Sequence, residues 1–410
     1  MRMITLLMRL AALCFTAALP VAPEDSAAAR LGAAEAEVIG ATATAAEAAI
    51  DIGTATAADA TRAVRSLRST SNKAADLGKA QLSAADKAFP RMNREDASPG
   101  ALIKPPLATR HRVLIDSQQD ETSQDIDVYY PSPIDGGSDG RFPLISFAHG
   151  MYGGSFLLPV AYGDLLHALA GFGFIVVAPR SCNIGCHCPL GTIGERSLPH
   201  DPPCFQPFYE KQLRAITWAR AAKAETAYTE EAFAELDVAA GAGVAGHSMG
   251  GQAAVFSSSG RNATLHDIRA AVMLHAYTHA YPAPTVPFLA FTGTGDDTAP
   301  PAMAHGFFDA VPAAARAALP RGLVNRVGAT HHEVDVEDYN PLLAQYTAGW
   351  LKLFLQKRTH DYGIDFEKMI FGDGKESLCG GGGGAMAECD LFRPAADPAA
   401  DPPVAGAVGY

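Results

Sequence analysis

From residue 109 to residue 378, short apolar runs bounded by turn residues alternate with longer stretches suited to helices. The runs predict strands at Arg112–Ile115, Ile126–Tyr130, Leu144–His149, Phe174–Pro179, Gly243–His247, Ala270–Leu274, Phe288–Thr292 and Leu323–Val327. The stretches between them predict helices, the clearest being Tyr162–Gly171, Phe208–Lys223, Met249–Ser258, Ala302–Ala310 and Leu342–Lys357. Strands alternating with helices imply an α/β fold, a mostly parallel, doubly wound sheet with helices on both faces.

The ends of the chain read differently. Residues 1–22 carry Arg2 and Arg9, then the apolar run Leu10–Leu19, the layout of a secretory signal peptide. That run is too short to span a bilayer; an N-terminal anchor or a buried helix is the competing reading. Residues 23–108 form an Ala-rich extension closed by a Pro-rich linker, with too few large apolar residues for a core of its own. A plastid transit peptide competes there, against acidic residues such as Glu35, Glu47 and Asp51. Residues 379–410 read as a flexible Gly/Pro/Ala-rich tail. The expected compartment is therefore the secretory pathway or the exterior, with the plastid as alternative.

A net charge of −12 and no basic stripe interleaved with aromatics argue against a nucleic-acid partner. Past the leader the cysteines are six: Cys182, Cys186, Cys188, Cys204, Cys379 and Cys389. An even number behind a signal peptide favours disulfides. The first four lie in a 181–205 insert and, with His187 and His200, could instead bind zinc, but C-x₃-C-x-C is not the paired C-x₂-C spacing. No metal site is therefore expected. Cys379 and Cys389 either pair, stabilising by about 2 to 3 kcal/mol, or remain surface thiols.

The chemistry centres on Val244–Ala253, VAGHSMGGQA. A buried strand runs into Gly246-His247-Ser248-Met249-Gly250 and then into a helix, a turn too tight for side chains at either glycine. Ser248 is thereby held above the sheet edge, with the Met249 N–H at a helix N-terminus. A serine hydroxyl needs a base and a carboxylate that orients the base. Asp296 follows the strand that breaks at Gly293, and Asp297 is its neighbour and rival; His331 follows Gly328, with His332 as rival. The order Ser, Asp, His suits this arrangement. An oxyanion requires two N–H donors; Met249 supplies one, and Met151 the other, with Tyr152 second as donor and otherwise a candidate substrate contact, from the loop His149–Gly154.

Residues 142–355 resemble the α/β-hydrolase superfamily, in particular its cutinase-like polyester hydrolases, platelet-activating-factor acetylhydrolases and chlorophyllases. The resemblance rests on FPLISFAHGMYGG, LLHALAGFGFIVVAPR and GHSMGG. It implies an α/β-hydrolase fold, and the short interval between Leu274 and Phe288 leaves no room for a large cap, which implies an open site. The activity implied is a cofactor-independent serine carboxylic-ester hydrolase acting in an open site on a small-molecule, lipid or polymer ester. Chlorophyllase-type or phospholipid acyl-ester hydrolysis is the alternative chemistry, and a non-catalytic binding protein of the same fold the alternative of another class. Tyr277, in LHAY, falls where those enzymes place a substrate-stacking Trp; a packing role is equally open.

Overall fold

The computed structural model describes residues 102–116, 125–132, 141–150, 154, 157–180, 208–224, 231–278, 282–382 and 384–394. All of them lie in the second of two units, Asp96–Tyr410. The leader, most of the extension, the 181–205 insert and the last sixteen residues fall outside the described residues. Among the described residues no helix is long and apolar enough to cross a membrane.

Eight strands form where the apolar runs place them: β1 (Thr109–Ile115), β2 (Asp125–Pro131), β3 (Leu144–Ala148), β4 (Ile175–Pro179), β5 (Ala242–His247), β6 (Ile268–Leu274), β7 (Phe288–Gly293) and β8 (Arg321–Arg326). The helices are α1 (Leu158–Gly171), α2 (Phe208–Ala224), α3 (Met249–Ser257), α4 (Gly260–Leu265), α5 (Pro301–Asp309), α6 (Ala313–Arg316), α7 (Pro341–Phe354) and α8 (Phe366–Phe371). A two-residue hairpin, β9 (His360–Asp361) with β10 (Ile364–Asp365), precedes α8, and β11 (Met386–Phe392) ends the fold.

One sheet of nine strands runs β1-β2-β4-β3-β5-β6-β7-β8-β11. Its six central strands are parallel, while β1, β2 and β11 join antiparallel at the edges. The parallel strands are buried on both faces because alternate side chains enter two cores. Along β4, Val176 and Ala178 face the core shared with α1 and α7, while Ile175 and Val177 face the core shared with α2 and α5. At β5 a Cβ on Gly243 would stand 3.1 Å from Leu351 of α7, so a small residue there permits close approach of the helix. The chain turns outward from β3 to β4 and then returns to the other side of β3 with β5. That reversal opens a crevice at the carboxyl ends of the central strands, where ligands of such sheets bind.

Two expectations are corrected. Residues 379–410 are not wholly a flexible tail: β11 pairs with β8 from Met386↔Arg326 to Phe392↔Arg321, and Cys379 is bonded to Cys389. The cross-link and the ladder together order a stretch whose Gly run suggested the opposite. The end of the 23–108 segment is also not a free linker. Ile103 N–H donates to Gln345 Oε1 at 2.8 Å and Leu107 N–H to Gly171 O at 3.0 Å, tying it to α7 and α1.

Candidate active site

β5 delivers Ser248 into a backbone conformation (φ 56°, ψ −119°) that non-glycine residues rarely adopt. The neighbouring glycines make this turn sterically feasible. A Cβ on Gly246 would lie 2.1 Å from Gly250 O, and one on Gly250 would lie 1.9 Å from Ala148 O. Met249 opens α3, so its N–H has no acceptor four residues back within the helix.

Two loops bring the remaining groups to Ser248. After β7, Thr294 N–H donates to Arg326 O and Gly295 N–H to Ala329 O, while Gly328 N–H donates to Thr294 Oγ1. A Cβ on Gly293 would stand 2.2 Å from Ala329 O, so the loops after β7 and β8 pack backbone to backbone. That closure sets Asp296 Oδ2 2.9 Å from His331 Nδ1, and His331 Nε2 2.9 Å from Ser248 Oγ. An ionised carboxylate only accepts, so Nδ1 carries the proton, Nε2 presents its lone pair, and the Ser248 hydroxyl donates to it.

Asp296 Oδ1 accepts from the N–H groups of Thr298 (2.9 Å) and Ala299 (2.6 Å). Burial opposes its ionisation, but hydrogen bonds from His275, His331 and the Ala299 N–H outweigh this and hold it well below the usual carboxylate range. The rivals are elsewhere. Asp297 is exposed, and His332 points to Asp335 at 2.9 Å and Glu337 at 3.6 Å. The Asp335 hydrogen bond raises the His332 pKa.

A second buried hydrogen-bonded chain runs beside Ser248. His247 Nε2 lies 2.8 Å from the His331 carbonyl, so it carries a proton, and Nδ1 then accepts from Tyr162 OH at 2.9 Å. The same Tyr162 oxygen accepts Gly150 N–H at 2.9 Å. Burial, then repulsion from His331 and His275, pushes the His247 pKa well down and keeps the ring neutral. This chain links α1, the start of the loop after β3 and the loop after β8. A Cβ on Gly150 would lie 3.1 Å from Ser248 Cβ, so that loop begins beside Ser248. Beside it, His149 donates Nδ1–H to Gly150 O at 2.6 Å, and burial lowers its pKa to about 4.

Of the residues selected from sequence, Ser248, Met249, Asp296 and His331 come together. Tyr277 is half-buried beside them, its N–H donating to Ser248 O at 2.9 Å. Met151 and Tyr152 lie outside the described residues, as do the four insert cysteines. Sequence reasoning missed His275 and Glu333. His275 follows an apolar strand at the carboxyl edge of the sheet, a position that could have marked it. His275, His331 and Asp296 have the ligand types of a metal site, with one ligand atom from each within 4.8 Å of the others. Both Nδ1 atoms already donate to Asp296 Oδ2, so neither presents a lone pair to an ion.

The sheet order and the placement of these side chains at the ends of β5 to β8 define an α/β-hydrolase fold. Residues 205–366, from the region of α2 through β10, match the PETase family, described as PET hydrolase-like, within the α/β-hydrolase superfamily. That family implies hydrolysis of esters. No curated protein matches the chain.

Proposed function

We propose that the protein is a serine-nucleophile carboxylic-ester hydrolase of polyester-hydrolase type that works through an acyl-enzyme. The observation that carries this reading is the hydrogen-bonded chain Ser248–His331–Asp296, with the serine at a strained strand-to-helix turn. As an acyl carbon approaches, Ser248 Oγ attacks and its proton passes to His331 Nε2. Asp296 holds His331 in the Nδ1–H tautomer and stabilises the imidazolium that forms. The Met249 N–H, with one from the loop after Gly150 that we assign to Met151, stabilises the oxyanion. His331 then protonates the departing alcohol, and water, activated by the same base, releases the acid. Tyr277, adjacent to Ser248, offers a ring to the acyl or aromatic part of the substrate.

The test is fluorophosphonate labelling together with turnover of p-nitrophenyl esters of graded chain length. Wild type should label at Ser248 and turn over, and Ser248→Ala should do neither while keeping its circular dichroism. Labelling at another serine, or turnover by Ser248→Ala, would overturn the assignment.

A further inference from the structure

Both ring nitrogens of buried His275 face carboxylate oxygens. Nδ1 is 2.8 Å from Asp296 Oδ2, the oxygen that His331 also contacts, and Nε2 is 2.9 Å from Glu333 Oε1. Glu333, itself buried, pairs through Oε2 with Arg326 and accepts Asn340 Nδ2–H at 3.1 Å. A neutral imidazole has one N–H and one lone pair, so it can donate to only one of two ionised carboxylates. Its other lone pair would then face an oxygen lone pair at hydrogen-bond distance, shielded from water, an arrangement that is costly to bury. The bridge therefore holds one proton more than a neutral ring and two carboxylates provide. With it, Asp296 and Glu333 are balanced by that proton and the Arg326 guanidinium.

We propose that His275 is a positioning residue for the hydrolytic reaction: its proton-bearing bridge from Asp296 to Glu333 fixes the orientation of the Asp296 carboxylate and shares its negative charge with His331. The inference rests on reading Ser248, His331 and Asp296 as catalytic. Two donors on one oxygen each receive less than the whole charge, so the bridge holds Asp296 in place while dividing its oxygen between His275 and His331. The groups facing His331 are His247 and Ser248 from the β5–α3 turn, His275 from the end of β6 and Asp296 from the loop after β7. Its own loop adds His332, whose ring is 5.6 Å away and is itself paired with Asp335 and Glu337. Of these, only His275 both contacts Asp296 and connects it to a second carboxylate.

The backbone at His275 has φ 47°, a value that Asn tolerates. In His275→Asn the amide N–H occupies the Nδ1 side and keeps the donor to Asp296, whereas His275→Ala removes it. With p-nitrophenyl acetate, His275→Ala should lose ~10²-fold in kcat with little change in KM. The acid limb of its kcat/KM profile should move up by about half to one pH unit, because His331 no longer shares Asp296. His275→Asn should restore most of kcat. Glu333→Gln, which removes the need for the extra proton, should move the limb the same way with a smaller loss of kcat; this variant and His275→Asn carry the test should His275→Ala fail to fold. Folded variants with wild-type kcat and an unmoved acid limb would overturn the proposal, and so would a folded Asn variant as slow as the Ala variant. Failure of wild type to label at Ser248 would instead overturn the catalytic reading on which it rests.

Discussion

Asp296→Asn exchanges one oxygen for an NH₂ group without changing volume, and the surroundings dictate which way the new amide faces. Oδ1 receives two backbone N–H groups, from Thr298 at 2.9 Å and Ala299 at 2.6 Å. An amide nitrogen there would set donors against donors, so the carbonyl stays at Oδ1 and the NH₂ takes the Oδ2 position. There it faces Nδ1 of His331 at 2.9 Å and Nδ1 of His275 at 2.8 Å, imidazole nitrogens that, unlike a backbone N–H, can give up their proton. His331 must turn Nδ1 into an acceptor, which places its proton on Nε2, 2.9 Å from Ser248 Oγ. That nitrogen can no longer take the serine proton. An inverted tautomer of this kind costs ~10⁴-fold in kcat, which is about 5 kcal/mol in the barrier. Asp297→Asn, at an exposed side chain, and His332→Ala, whose ring turns away to Asp335, should each stay within about threefold. Steady-state hydrolysis of p-nitrophenyl acetate, with thermal melting to verify the fold, measures all three. A folded Asp296→Asn enzyme within tenfold of wild type would refute the tautomer argument, and a larger loss in Asp297→Asn would move the carboxylate by one residue.

Other perturbations probe the frame around the site. Gly250→Ala places a methyl 1.9 Å from Ala148 O, a backbone atom of β3 that cannot step aside, so unfolding in urea should show a loss of ~2 kcal/mol or more; an unchanged midpoint would count against this packing. Cys379→Ser should cost about 2 to 3 kcal/mol and speed amide exchange in β11, and equal protection in both forms would mean that the β8 ladder alone orders this strand. Acid should begin to destabilise the fold above the pH range in which ordinary carboxylates titrate. His149 binds a proton near 6.5 when unfolded but only at about 4 when folded, so its contribution of about 3 kcal/mol is lost as pH falls through that window, and neutral His247 acts in the same sense. Urea midpoints at pH 7.5 and 5 measure this, and a midpoint that rose towards pH 5 would contradict it.

The features legible in sequence are those whose physics is local. A parallel strand buried on both faces is largely apolar, so β3 to β7 declare themselves as runs, and β8 does so through its Leu323-Val324 centre. The turn at Ser248 needs glycines two residues to either side, so it is spelled out within five positions. β11 escaped because MAECDLF mixes acidic and apolar residues, as an edge strand with one neighbour allows, and what orders it is a ladder to β8 and a bond to Cys379.

Composition, periodicity and the Ser-Asp-His order thus determine the sheet, its crevice and the kinds of group that meet there. Tertiary structure alone separates Asp296 from Asp297 and His331 from His332, because adjacent residues of one type differ only in direction, and the backbone contacts between the β7 and β8 loops set that direction. It alone gives His275 a role. Asp296 lies 21 residues from His275 and Glu333 lies 58, and no motif joins the three. The need for a shared proton arises only when packing brings two buried carboxylates within 3 Å of one imidazole, a distance that no local stretch of chain encodes.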